Sequence, residues 1–519
     1  MDVLDIKDIK ERFVTGGNGT TMTEILSIAL VCPAIVLLDR SVKSLVTRCI
    51  GKQDPKSSFK LTLLWWFIEI FTRLVPLVLT QSSLLLPTTK NASDHTIVHF
   101  PQLLLLLYAT IVISYFATRR SYTKEKDVKV ANLNVIPFFT EYRSTMMLAT
   151  AVAILAVDFP VLFPRRIAKT ESWGASLMDM GVGSFVFSGS LVSQAARSRS
   201  VPPSLIKTIR HNIPLLLLAG GRFFSVSMTN YQTHVGEYGT HWNFFMTLMV
   251  VSITVDLIDA IFKKSSTATY FATGIGLCIL QQTLLSMGMQ NYIESAPRVN
   301  LFSANKEGIC STLGYVSVYY IGVGLGRFVF ETQRKSEAGD ENAWKSFSYK
   351  MIIVSIALVV TSYFSFSYFI DLSAKLSIDQ GLVDLSNFST FSHQVPGFHR
   401  NYLSNIFIPS RAMNNFGYVL WTLTYNVGLL TIFSVMYTWL LPKQQEQSPE
   451  AYSCMRDAVN TNQLATFLIA NLSTGAINLA IVTVFWNSAV ASFFVVLLYL
   501  QAVTLVMTIL HYKKIIIKL

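Results

Sequence analysis

Charge is scarce in this 519-residue chain: Asp, Glu, Lys and Arg make up 14% of it, against roughly 25% in a soluble domain. Cysteine is scarce too. Cys32, Cys49, Cys278, Cys310 and Cys454 are scattered, with no CxxC and no metal-ligand spacing, so neither a disulfide framework nor a metal site is expected. No GxxxxGK[ST] is present and no GxGxxG follows a strand, which argues against a pump driven by ATP. Met1 to Thr23 is polar and carries Asp2, Asp5, Asp8 and Glu11. It lacks the apolar centre of a signal peptide, and the first apolar segment is expected to serve as its own insertion signal. Nor is there an internal repeat or a soluble domain.

What the chain has instead is apolar residues, 51% of the total, arranged in runs of about 20, long enough to cross a hydrocarbon core about 30 Å thick. The runs are continuous rather than alternating, which selects helices over a barrel. Spans are predicted near 24–39, 60–80, 97–117, 144–163, 173–195, 208–229, 242–262, 268–288, 310–330, 349–370, 415–440, 463–484 and 490–511. The expected fold is an all-α integral membrane protein, one multi-span domain over 1–519 with about thirteen transmembrane helices. The runs at 173–195 and 310–330 are rich in Gly and Ser, as helices packed inside a bundle tend to be.

The formal net charge is +12. The basic residues sit in short loops and form no stripe interleaved with aromatics, so headgroups and topology explain them and no nucleic acid is expected as a partner. The 40–60 segment carries Arg40, Lys43, Arg48, Lys52, Lys56 and Lys60, and 118–143 carries Arg119, Arg120, Lys124, Lys126, Lys129 and Arg143. Alternation puts both on one side with Lys263, Lys264, Lys513 and Lys514, and the positive-inside rule makes that side cytosolic. The N-terminus is then lumenal and the C-terminus cytosolic. The sequons at Asn18, Asn91 and Asn387 fall on the lumenal side, and Asn471 falls inside a span.

Ionisable groups within spans are costly, and each is a functional hypothesis. Asp158 ends an uncharged run and precedes Phe159-Pro160. Pro160 and Pro164 are expected to end the helix there, which lets Lys169 turn back toward Asp158. The two would be either a structural ion pair or a general base with its charge partner. Arg165 and Arg166 break the charge rule on the lumenal side; they either snorkel to headgroups or bind an anion such as phosphate. Asp179, below Trp173, fits a helix-packing hydrogen bond. Glu237-Tyr-Gly-Thr-His-Trp-Asn-Phe244 places His241 and Asn243 among aromatics, as an interfacial belt or with His241 as a base. Asn305, Lys306 and Glu307 would bind sugar hydroxyls or cap a helix. Arg411 would meet a phosphate or snorkel. All of these lie at the predicted lumenal mouths.

Phe13-Val-x-Gly-x-Asn-Gly19 with Thr23-Glu24, Ala153-Ile-Leu-Ala-Val-Asp-Phe-Pro160, Phe163-Pro-Arg-Arg166, Ala168-Lys169, Trp173-Gly174, Ser176-Leu-Met-Asp179, Gly181 to Ser188, Glu237-Tyr-Gly-x-His-Trp-Asn-Phe-Phe245, Phe302-Ser-Ala-Asn-x-Glu-Gly-Ile309 and Leu420-Trp-x-x-x-Tyr-Asn426 together resemble the inositol acyltransferases of GPI-anchor biosynthesis. The blocks run in the family's order along the whole chain. The stretch between Asp158 and Lys169 is one residue longer than the family's shorter form. The resemblance implies an endoplasmic reticulum membrane enzyme that moves a fatty acyl chain, usually palmitoyl, from acyl-CoA to the inositol 2-hydroxyl of glucosaminyl-phosphatidylinositol. It implies catalysis by Asp158 and Lys169, with His241 as a reserve base. Substrate binding would fall to Arg165, Arg166, Trp173, Asp179, Glu237, Asn243, Asn305, Glu307 and Arg411. Acyl-CoA would be a co-substrate, with no metal or prosthetic group. The alternative class is a membrane transporter of a lipid or small anionic solute. That class favours repeats and matched broken helices, and only one Pro-broken span is seen.

Overall fold

A computed structural model of the chain describes residues 9, 15–17, 19–51, 54–85, 136–198, 205–229, 235–261, 266–379, 402–441 and 451–517. Helices are the only regular structure among them, so the all-α fold predicted from the continuous apolar runs is the one observed. Among the described residues eight helices are long and apolar enough to cross a membrane: Met22–Ile50, Phe59–Thr80, Phe244–Ile261, Thr267–Ser295, Lys306–Glu337, Ala343–Phe366, Phe416–Leu440 and Ala489–Tyr512. Helices Pro137–Ala156, Met180–Leu191, Leu205–Thr229 and Gln463–Ala480 stand where four further spans were predicted but are not among the eight. The span predicted at 97–117 and the sequons at Asn18, Asn91 and Asn387 lie outside the described residues.

Two boundaries differ from the sequence reading. The first helix runs on to Ile50, so Arg40 and Lys43 are buried helix residues rather than loop residues. The Lys43 charge is met by Asp39 and Glu69 and the Arg40 guanidinium rests on the Tyr437 hydroxyl, so the helix need not stop at the end of its apolar stretch. The run at 173–195 is helical only from Met180 to Leu191. Residues 169–179 are irregular because their backbone bonds elsewhere: Gly174 N–H donates to Pro409 O at 2.8 Å and Glu171 N–H to Gly17 O at 2.9 Å. The helix Pro137–Ala156 stops four residues before Pro160, as the prolines require.

The described residues form two compact units: one of Met1–Thr20 with Lys169–Gly428, the other of Thr21–Ala168 with Leu429–Leu519. In the first, the helix Thr312–Glu337 packs against both Thr267–Leu284 and Met180–Leu191. Small residues permit this approach, since a Cβ at Gly322 would strike Ser190 Oγ and one at Gly326 the Leu191 carbonyl. The two Gly/Ser-rich runs are therefore interior helices packed on each other, as expected in lipid. Phe244–Ile261 packs on Leu205–Thr229. In the second unit, Pro137–Ala156 and Ala489–Tyr512 pack around the short helix Cys454–Thr461.

The second unit holds an alternating chain of buried charge that the sequence reading missed. Lys43 lies between Asp39 (2.9 Å) and Glu69, and Arg73 lies between Asp39 (2.9 Å) and Glu141 (3.0 Å). Arg456 then bridges Glu141 (3.1 Å) and Asp457 (2.7 Å). Such an array is tolerated away from water only when each member is paired and hydrogen-bonded.

Candidate functional site

The first unit gathers four of the motif blocks at one place. Its floor is the stretch Lys169–Asp179, clamped by the N-terminal segment. Gly16 N–H donates to Glu171 Oε2 at 3.2 Å, and Thr20 N–H to Ala175 O at 2.8 Å. Gly19 has a φ of +78°, and a Cβ there would collide with the Ala175 carbonyl. Only glycine meets both conditions without strain, which gives a physical reason for Gly19 of the Phe13–Gly19 block. Phe13, Val14 and Asn18 lie outside the described residues.

Arg411 is the centre of the cluster. It sits on the turn before the helix Phe416–Leu440, a turn fixed by Asn415. The Asn415 amide donates to the carbonyls of Asn405 and Ile408, and its oxygen accepts from Ser410 and Tyr418 N–H. Arg411 is 3% exposed, and its Nε donates to Asp179 Oδ1 at 3.0 Å. Asp179 also accepts from the Thr170 backbone and hydroxyl and from Ser176 Oγ. Its backbone carbonyl accepts from Tyr418 OH at 2.7 Å. The packing hydrogen bond expected of Asp179 is thus a buried ion pair. Arg411 Nη1 lies 3.3 Å from Glu237 Oε1, and the other Glu237 oxygen accepts from Lys169 Nζ at 2.7 Å. Glu237 therefore bridges a buried guanidinium and an ammonium that is 38% exposed. Arg411 Nη1 and Nη2 have no hydrogen-bond acceptor among the described residues.

Electrostatics reinforce the arrangement. Burial acts to lower the Arg411 pKa, but the Glu237 and Asp179 carboxylates more than reverse this, and the guanidinium is held above its ordinary value. Burial, then the Glu237 carboxylate, pushes the Tyr238 phenol well above its usual range, so it stays neutral. The cluster balances two cations against two carboxylates and leaves the Arg411 fork partly unused, which can accept an oxyanion or a phosphate.

The other predicted residues take several positions. Trp173 is buried and its Nε1 donates to Glu294 at 3.1 Å. Asn243 caps the helix Phe244–Ile261: its oxygen accepts from Phe245 and Met246 N–H, and its amide donates to Ala219 O. Asn305 joins two blocks, accepting from His241 N–H at 2.8 Å and donating to Leu301 O. The His241 side chain is exposed. Glu307 is held by Arg298 through contacts of 2.6 and 3.0 Å, and Lys306 donates to the Ala296 carbonyl. Asn243, Asn305 and Glu307 thus have work in holding the fold together. Among the described residues no three His, Cys, Asp or Glu side chains gather as metal ligands.

Asp158, Arg165 and Arg166 belong to the second unit and Lys169 to the first. Asp158 is 9% exposed. It accepts from Asn478 Nδ2 at 2.6 Å, and Asn478 is oriented in turn by the Thr483 hydroxyl at 2.8 Å. Sequence reasoning missed Asn478 and Thr483, and nothing local to either marks them. Arg166 pairs with Glu24 at 2.9 Å, with both side chains partly exposed. An exposed pair of this kind contributes only about 0–1 kcal/mol, so its loss is not expected to unfold the protein. Replacing Arg165 and Arg166 together by Gln should raise the KM for the lipid substrate severalfold with expression unchanged. Wild-type kinetics in that variant would reduce both to snorkelling residues.

A polytopic helical bundle with a buried ionic site, carrying these blocks in this order, defines a lipid-modifying membrane acyltransferase that acts in GPI-anchor biosynthesis. The chain belongs to the GWT1 family, whose signature covers residues 6–510, the family of the GPI inositol acyltransferases. It is 33% identical over 535 residues to GPI-anchored wall transfer protein 1 of Saccharomyces cerevisiae, covering 99% of both chains. It is 34% identical to the Yarrowia lipolytica protein of the same name over 401 residues, 76% of each chain. It is also 30% identical to the phosphatidylinositol-glycan biosynthesis class W protein of Dictyostelium discoideum over 559 residues, covering 99% of both. Membership bears out the resemblance read from the motif blocks and sets the transporter reading aside.

Proposed function

We propose that the chain, acting as one acyltransferase domain over 1–519, transfers a palmitoyl-type acyl group from acyl-CoA to the inositol 2-hydroxyl of glucosaminyl-phosphatidylinositol. The observation that carries this reading is the Lys169–Glu237–Arg411–Asp179 cluster. It holds a buried guanidinium with unused hydrogen-bonding capacity beside a partly exposed ammonium. Acyl transfer from a thioester to an alcohol needs a base, support for the oxyanion and orientation. Asp158 takes the hydroxyl proton, and the Asn478 amide orients it. The oxygen attacks the thioester carbonyl, and the tetrahedral oxyanion is stabilised by Lys169, which Glu237 holds in place. The C–S bond breaks and the CoA thiolate recovers the proton from Asp158. Arg411 takes the lipid phosphodiester. His241 is the reserve base. Asp158 and Lys169 receive these roles from the family resemblance and from the surroundings of each side chain within its own unit. No metal or prosthetic group is required.

The reading predicts ester formation when purified protein in vesicles is given acyl-CoA and glucosaminyl-phosphatidylinositol. Movement of either compound across the vesicle wall with no new ester would contradict it. Acyl-CoA is supplied from the cytosol while the site is placed at the lumenal mouths, so the acyl thioester must thread inward or the donor must cross the bundle. The proposed location is the endoplasmic reticulum membrane. A tag at the N-terminus should then be protected from protease in sealed microsomes, and one after Leu519 should be cleaved. Both tags behaving alike would contradict the orientation and the lumenal placement of the site.

A further inference from the structure

We propose that the second unit contains a phosphoryl-binding site whose main ligand is the Arg40 guanidinium. Arg40 stands beside the alternating charge chain without belonging to it. It is 6% exposed, and its Nη2 donates to Tyr437 OH at 2.7 Å. Its guanidinium carbon also lies 4.7 Å from the centre of the Tyr437 ring. Nε and Nη1 are buried and have no hydrogen-bond acceptor among the described residues. A buried guanidinium with two unmet nitrogens is costly, since each unmet group keeps its full desolvation penalty.

The neighbouring carboxylates do not need Arg40. Asp39 accepts from Lys43, Arg73 and Thr72 Oγ1. Glu69 accepts from Lys43, from Cys454 N–H and Sγ, and from Met455 N–H. Glu141 accepts from both Arg73 terminal nitrogens, from Arg456 and from Tyr437 OH. Lys43 is likewise filled, with its third proton on the Tyr452 carbonyl at 2.9 Å. Among the described residues the other buried charges of the array have their partners, which leaves Arg40 as the cation held ready beside it. Nε and Nη1 donate toward different sides of the guanidinium, so each offers one charge-assisted hydrogen bond to a phosphoryl oxygen, while Nη2 stays on Tyr437. Two sources at a membrane supply that chemistry: the pyrophosphate and phosphate groups of a CoA ester, and a phospholipid headgroup.

The proposal stands apart from the catalytic reading because binding is measured without turnover. Full-length protein in detergent is unfolded by heat with pyrophosphate, with CoA lacking an acyl chain, with short-chain phosphatidylinositol, and with acetate at matched ionic strength. A ligand that binds only the folded state raises the midpoint by mass action. The wild type should respond to at least one phosphate-bearing probe and not to acetate. Arg40→Met should weaken the apparent affinity at least tenfold, and without ligand it should unfold close to wild type, because the loss of the Tyr437 hydrogen bond is offset by relief of two buried, unmet nitrogens. Arg40→Lys, which keeps the charge but loses the separate Nε and Nη1 donors, should also bind more weakly, and Tyr437→Phe should keep the response. Response to pyrophosphate and CoA assigns the site to the acyl donor, and response to phosphatidylinositol alone assigns it to lipid; both support the proposal. It is overturned if no phosphate-bearing probe acts or if acetate acts equally. It is also overturned if Arg40→Met responds like wild type while Arg411→Lys does not, which would place the binding in the first unit and leave the catalytic reading intact.

Discussion

Arg411→Met is expected to destabilise the protein by about 3–5 kcal/mol, the usual result of removing one partner from a buried ion pair. The Asp179 carboxylate it leaves behind is 1% exposed and has lost its only cation among the ion pairs described. Glu237 is affected less, because it keeps Lys169. Asp179→Asn preserves shape and removes the charge. Combined with Arg411→Met it should recover part of the loss, since neither partner is then an uncompensated buried charge. Arg411→Lys should fold but raise the KM for lipid, because an ammonium cannot satisfy Asp179 and grip a phosphate as a planar fork can. Thermal unfolding in detergent beside steady-state kinetics tests this. Wild-type stability in Arg411→Met would mean that the pair does not hold this site together.

The second large effect is on catalysis. Lys169→Met should cut turnover by roughly 10²-fold or more, within the range that charge and proton-transfer groups contribute. The Lys169 side chain is 38% exposed, and exposed pairs contribute about 0–1 kcal/mol to folding, so this variant should unfold close to wild type. If Asp158 and Lys169 act as a unit, the double variant Asp158→Asn/Lys169→Met should be little worse than either single one, because losses within one catalytic unit do not add. A purely structural pairing predicts the reverse: each single variant loses stability and the double variant regains some. Kinetics and unfolding measured on the same preparations separate the two.

The sequence carried most of the helices and several of the site residues, for reasons that can be named. Apolar run length marks a spanning helix locally, and the Gly/Ser runs marked Met180–Leu191 and Thr312–Glu337 as interior helices, though not as each other's partners. Asp179, Glu237 and Arg411 were visible as charges in apolar surroundings. Their joining was not visible, because Arg411 is 232 residues from Asp179 and no periodicity links them. The charged array of the second unit was missed for a different reason. Arg40 and Lys43 looked like the basic start of a cytosolic loop, a reading that the positive-inside rule favours. Glu69 and Arg73 lie inside the predicted 60–80 span, where no nearby sequence signal showed their partners, and Glu141 lies just before the predicted 144–163 span. Only the tertiary fold, which brings Tyr452 and Cys454 to Lys43 and Glu69, turns them into one buried network. Asn243 and Asn305 were open to a structural as well as a binding reading. Asn is as good a helix cap as it is a sugar ligand, and here both side chains are spent on backbone groups.

The central claim is that Asp158 is the base of an inositol acyl transfer, and the most direct test is the turnover of Asp158→Asn in protein shown by thermal unfolding to be folded. Given acyl-CoA and glucosaminyl-phosphatidylinositol, that enzyme should form acylated lipid at no more than about one hundredth of the wild-type rate. Near-normal turnover in the folded variant would contradict the account and move the base to His241.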